Sequence, residues 1–173
     1  VIRRILVAGI GNIFFGDDAF GVEVAKRLMQ RQLPDNVRVV DFGIRSYDLA
    51  YALVDGCDAA ILVDAVSRGE PPGTLTLLKL DMDEFRENGD GTDAHDMNLA
   101  QVFGLVRSLG GYRGKLYLVG CEPAVLETED GRIGLSENVE AAVPHAIEMI
   151  ESLVAELLGG GGGETADLRG EWN

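Results

Sequence analysis

The chain has little of what most covalent catalysts, nucleic-acid binders and membrane proteins require. Only two cysteines occur in 173 residues, Cys57 and Cys121. They lie far apart, each in or beside an apolar stretch, and read as small buried hydrophobes in a reducing cytoplasm; spacing alone leaves a disulfide open. Histidine is equally scarce, with His95 and His145 only. Basic residues are outnumbered: 15 Lys and Arg against 29 Asp and Glu give a formal net charge of −14 and a pI near 4.4. That balance excludes a nucleic-acid backbone or an anionic membrane as partner, and its main consequence is solubility. No apolar run approaches the length of a bilayer span. Arg3 and Arg4 are not followed by a signal-peptide core, so the start reads as a first strand. There is no Gly-x-Ser-x-Gly elbow, no Walker lysine, and no evident histidine base for either cysteine.

What is present fits one globular domain. The hydrophobic fraction is 46% and the mean hydropathy +0.08. Apolar runs at 5–10, 37–42, 59–66, 74–80 and 115–121 read as five strands. Most are near-continuously apolar and separated by helices, which points to a parallel sheet covered on both faces. The turn Gly69 to Gly73 is too short for a helical crossover, so the strand after it should run antiparallel near an edge. Helical periodicity marks 20–33, 47–54, a segment from near Met97 to Leu109, and a last helix from Ser136 to about Leu158. Pro144 should kink that helix or shorten its first part. Ser46 is the expected N-cap of the second helix, and Asp96 or Asn98 of the third. The long polar stretch 81–96 reads as a functional or mobile loop, with an acidic helical turn around 83–86. The five-glycine run from Gly159 opens a flexible tail, giving a domain at 1–158 and a Gly-rich appendage at 159–173.

The chain is organised around 2–21. A buried strand stops at Gly9-Ile10-Gly11-Asn12, and Asp17-Asp18 follow just before a helix. Asp41 and Asp64 stand at the carboxyl ends of two further strands, and ligands of open α/β sheets gather outside those ends. Asp18, Asp41 and Asp64 should therefore meet at one rim, with His95 able to reach it. Each has a plain alternative. Asp17 could be a helix N-cap or a support behind Asp18, Asp41 a turn residue, Asp64 a loop cap and His95 a solvated loop residue; His145 reads as a surface or packing residue. Convergence favours a site. Two carboxylates and an imidazole suit a divalent ion such as nickel, zinc or manganese, with positions left open. A phosphate site fits poorly, because Phe14 stands at the third glycine position and the acid pair repels an anion.

The ordered motifs resemble those of the nickel–iron hydrogenase maturation proteases. They are Gly9-Ile10-Gly11-Asn12 with Asp17-Asp18 and Gly21; Asp41-Phe42-Gly43; Val63-Asp64-Ala65; the His95 segment; and Val119-Gly120-Cys121-Glu122-Pro123 with Gly134-Leu135-Ser136. The likeness covers 5 to about 154. It implies an α/β three-layer sandwich, a twisted, mostly parallel five-stranded sheet with helices on both faces. It implies a cytoplasmic endopeptidase that removes the C-terminal extension of a hydrogenase large-subunit precursor after nickel insertion. The family's metal-contacting set falls on Asp18, Asp64 and His95, with nickel carried by the substrate. Asp41 and Gly43 fall where cleft support or substrate contact is implied. The pattern departs at Ala19, where the family often has glycine, and at Asp18, where some members have glutamate. The alternatives are a general metal-dependent hydrolase holding its own ion and a non-catalytic nucleotide-binding module.

Overall fold

The computed structural model describes residues 2–83, 94–124 and 131–159, with the backbone alone for 94–98. The tail at 160–173 and the acidic turn expected around 83–86, beyond Asp83, lie outside the described residues. The strands are β1 (Ile5–Ile10), β2 (Val37–Gly43), β3 (Ala59–Ala65), β4 (Leu75–Leu80) and β5 (Lys115–Cys121). They form one sheet in the order β2-β1-β3-β5-β4. The first three and β5 are parallel; β4 is the antiparallel edge, paired with β5. Fold class and strand count match the expectation.

The helices are α1 (Phe20–Leu28), α2 (Ser46–Val54), α3 (Ala94–Ser108) and α4 (Glu137–Gly159). Strand alternation divides the core into two layers. On one face Val7, Ile61, Val63 and Val119 meet Phe20, Val24 and Leu28 of α1 and Val143, Ile147 and Ile150 of α4. On the other, Leu6, Ala8, Ile10 and Leu62 meet Leu49 and Leu53 of α2 and Leu99, Val102 and Phe103 of α3. Burial of both faces explains why β1 and β3 are buried throughout.

Helix ends differ from the sequence expectation. α1 stops at Leu28 rather than Leu33, because Gln30 and Arg31 donate to the carbonyls three residues back and tighten the chain out of the helix. Leu33 still packs on the core, which accounts for its place in the apolar pattern. Ser46 lies inside α2, and its cap position, Arg45, makes no side-chain cap bond. α3 begins at Ala94, so Asp96 and Asn98 fall inside its first turns. An acid there faces the positive end of the helix dipole, so its sequence signal resembles that of a cap. α4 runs unbroken past Pro144. The Gly110-Gly111 stop holds, with both at positive φ and Gly111 N–H closing on Val106 O at 2.8 Å.

Candidate active site

The chain leaves β1 toward β2 on one side and later returns to β3 on the other. The carboxyl end of β1 is thus a topological switch point, where open α/β sheets form a crevice. Register fixes its walls. Gly9 pairs with Asp41 on β2 and with Val63 on β3, so the end of β1 lies between Asp41 and Asp64. Two close approaches build the floor. A side-chain carbon on Gly21 would overlap the carbonyl oxygens of Val63 and Ile10, and one on Gly9 would overlap Gly21 O and Ala25 Cβ. Only glycine at both positions lets α1 sit this deep against the strand ends.

The loop after β1 folds back on itself. Gly11 has φ +141°, and a side chain there would overlap the Asp18 carbonyl. Asn12 Oδ1 accepts Phe14 N–H at 3.0 Å, and Asn12 N–H donates to Asp18 Oδ2 at 2.8 Å. A 3-10 turn, Gly16–Ala19, carries the acid pair and packs against β3. Asp18 and Asp64 are 5% and 4% exposed, so both carboxylates leave water on neighbouring elements. Asp64 Oδ1 accepts the N–H of Ala65 at 2.8 Å. Gly120 stands opposite it on β5, and the Val66 side chain packs where a Gly120 side chain would be. The packed Gly11 and the buried acids leave no phosphate cradle here, which removes the basis for a nucleotide site.

Asp41 shares the rim with Asp64 but not its face. Val37 and Val39 belong to the α1 layer, and alternation puts Asp41 with them, whereas Asp64 shares parity with Ala60 and Leu62 of the α2/α3 layer. Asp41 and Asp64 therefore end their strands at one rim but on opposite faces of the sheet. Gly43, at φ +55°, accepts Gly11 N–H at 3.0 Å and so joins β2 to the loop. Gly43 also lines a shallow groove with Ile10, Phe42, Leu49 and Leu99. That groove brings the N-terminal half of α3 over the strand ends. His95 lies one turn before Leu99, inside the first turn of α3 rather than before the helix, and its side chain is outside the described residues. Among the described residues no group of three His, Cys, Asp or Glu side chains is placed to hold a metal ion.

Two buried acids have partners that sequence reasoning did not find. Asp17, fully buried, is not the N-cap of its own helix. Its Oδ2 accepts Ala124 N–H at 2.8 Å and Ser136 Oγ–H at 2.8 Å, and its Oδ1 accepts Ser136 N–H at 2.7 Å. Glu122 Oε2 accepts Arg68 N–H at 2.7 Å, pinning the β3–β4 connection to the end of β5. The only sequence signal was an acid standing where an apolar run stops. Both acids also bear on Cys121. Burial first, then the charges of Asp17 and Glu122, push its thiol up to about 12, so it is no nucleophile at neutral pH. Burial likewise raises the Cys57 thiol. Both cysteines are free, which closes the disulfide question. His145 is exposed, 3.9 Å from Glu148 on the same helix.

A family model for hydrogenase maturation proteases matches residues 22–153. The chain belongs to the hydrogenase maturation protease family. This maturation protease is thus an enzyme, a peptidase. It is 36% identical over 155 residues to the hydrogenase 2 maturation protease of Escherichia coli, covering 88% of this chain and 92% of that one. Its fold is similar to the solved hydrogenase maturating endopeptidase HybD of Escherichia coli, with a TM-score of 0.75 at 36% identity over 88% of this chain and 93% of that one. A hydrogenase 2 maturation peptidase from a Thaumarchaeota archaeon gives 0.66 at 34% identity over 91% and 99%. Among the described residues no helix is long and apolar enough to cross a membrane.

Proposed function

We propose that this maturation protease removes the C-terminal extension of a nickel–iron hydrogenase large-subunit precursor once nickel is in place. The observation that carries the reading is the burial of Asp18 and Asp64 on packed neighbouring elements at the switch point. Two carboxylates on adjoining elements at a strand-end crevice suit a positive partner brought by the substrate. A divalent ion carried in by the substrate is such a partner, and carboxylate oxygens with an imidazole are suitable ligands for nickel. Asp18 and Asp64 would contact that ion, and His95, one turn before Leu99, is assigned the third contact. A metal there supplies Lewis acidity toward the scissile carbonyl or toward water. Gly43 and Asp41 form the β2 lip, which we assign to the precursor chain. We assign the peptidase domain to the chain up to the end of α4 at Gly159. The reaction is assigned to the cytoplasm, where both thiols stay reduced.

Cleavage of nickel-loaded and metal-free precursor, followed by the mobility shift on a gel, tests this. Only the loaded form should be cut. Equal cleavage of both forms would sink nickel gating, and cleavage of neither would sink the precursor as substrate. Metal analysis of the fresh protease should show no stoichiometric ion; a resident ion would favour a hydrolase with its own metal.

A further inference from the structure

Asp17 and Asp18 are adjacent, both are buried, and their bonds lead in different directions. In a 3-10 turn successive side chains point about 120° apart. Asp18 turns toward the start of its own loop, where Asn12 N–H meets it at 2.8 Å. Asp17 turns the other way and takes three hydrogen bonds from Ala124, after β5, and Ser136, the residue before α4. Those partners lie 107 and 119 residues away. The turn itself has no side-chain cap bond at its start.

From this arrangement we infer that Asp17 is a positioning residue: anchored by Ser136 and Ala124, it sets the rotation of the 3-10 turn and so aims the Asp18 carboxylate. The physical reason is the short lever. A turn of four residues (Gly16–Ala19) closes only a short run of its own bonds, and the Gly16 N–H bond to Arg132 O at 2.8 Å fixes its first residue alone. A charged acceptor taking three donors from a helix start and a strand exit holds it from outside. Ser136 carries two of the three bonds, so α4, a 23-residue helix, becomes the frame against which Asp18 is oriented. The inference deepens the proposed function, since it rests on Asp18 as a nickel-contacting group.

The test uses the full chain with Asp17→Asn, Ser136→Ala and Ser136→Thr. The Asn12 amide proton shift reports Asp18 orientation without any cleavage, while kcat, KM and the melting temperature are read alongside. Asp17→Asn should move the Asn12 resonance and lower kcat by up to about 100-fold, the scale of an ångström-level misplacement. Ser136→Ala should do the same in the same direction by roughly tenfold, with KM changed little in both. Ser136→Thr keeps the hydroxyl and should restore both readouts. An unmoved Asn12 resonance in a folded variant, with full kcat and only a lower melting temperature, would overturn the inference and leave Asp17 a structural bond. If Asp17→Asn does not fold, the two Ser136 variants decide. If the wild type cleaves no precursor, the proposed function falls, and the Asn12 shift still decides the positioning role.

Discussion

At the amino ends of the strands Asp58 stands in solvent, whereas at the carboxyl ends Asp17, Asp18, Asp64 and Glu122 are at most 8% exposed. Both rims use carboxylates to receive backbone N–H groups. Asp58 Oδ2 takes those of Arg3 and Arg4, each at 2.8 Å, while its backbone ties the start of β5 through Lys115 N–H. Water screens its charge, so this rim gains order at little cost. The carboxyl rim holds its acids away from water, where each charge is expensive. Asp17 and Glu122 join segments far apart in sequence. Asp18 receives Asn12 N–H and Asp64 receives Ala65 N–H. Asp17 and Glu122 thus show what a buried acid does for the fold, and Asp18 and Asp64 are the pair assigned to the substrate.

The largest effect should come from neutralising those two. Asp64→Asn and Asp18→Asn keep the side-chain shape and remove the charge. Cleavage of nickel-loaded precursor should fall by about 100-fold or more, the scale of several kcal/mol of lost metal-assisted stabilisation. The melting temperature should change little, since asparagine keeps the shape and an oxygen to accept the Asn12 and Ala65 N–H bonds. A sharp fall in melting temperature with cleavage retained per folded molecule would mean that both rims use their acids for structure alone.

Next in size is the floor of the carboxyl rim. Gly21→Ala places a carbon against two backbone carbonyls, which cannot yield as a flexible side chain would. The expected cost is about 3 kcal/mol or more. For a domain of this size that lowers the melting temperature by roughly 6–12 °C; calorimetry checks it.

The sheet was largely legible because continuous apolar strands and glycine turns carry period and punctuation directly, and β4 betrayed its direction through a loop too short to cross over. The places of Asp18 and Asp64 at the carboxyl rim were legible because an acid interrupts an apolar strand or precedes a helix at a strand end. Asp17 stayed open between cap and support because its partners, Ala124 and Ser136, are remote in sequence and no local pattern points to them. The split between Asp41 and Asp64 was hidden as well. Both end strands, but the register of β1 against each neighbour decides which face each side chain takes, and it shifts at the Gly9/Ile10 irregularity beside β2.

A smaller effect belongs to the amino rim. Gly56, closing α2, has φ +94°, and the only neighbour of an added carbon would be an Arg4 guanidinium nitrogen at 3.5 Å. Gly56→Ala should therefore cost about 1–2 kcal/mol from backbone strain alone, measured by urea unfolding. A cost equal to that of Gly21→Ala would erase the contrast between a crowded rim and an open one.

The smallest effect is a pH dependence at Asp58. The Arg3 N–H bond, followed by that of Arg4, holds its carboxyl below the ordinary value of 3.8. A depressed folded pKa contributes stability that is fully present above the ordinary value and is lost as pH falls through the folded value. Wild type and Asp58→Asn should thus differ by a constant melting-temperature gap from neutral pH down to about pH 4 to 5. Below that the gap should close, because a protonated Asp58 offers Arg3 and Arg4 the same neutral acceptor that asparagine does. The subtraction removes the titration of the other acids, which both proteins share. A gap that persists to the acid end of the melt would show that Asp58 acts through shape rather than charge, and the amino rim would then owe nothing to its carboxylate.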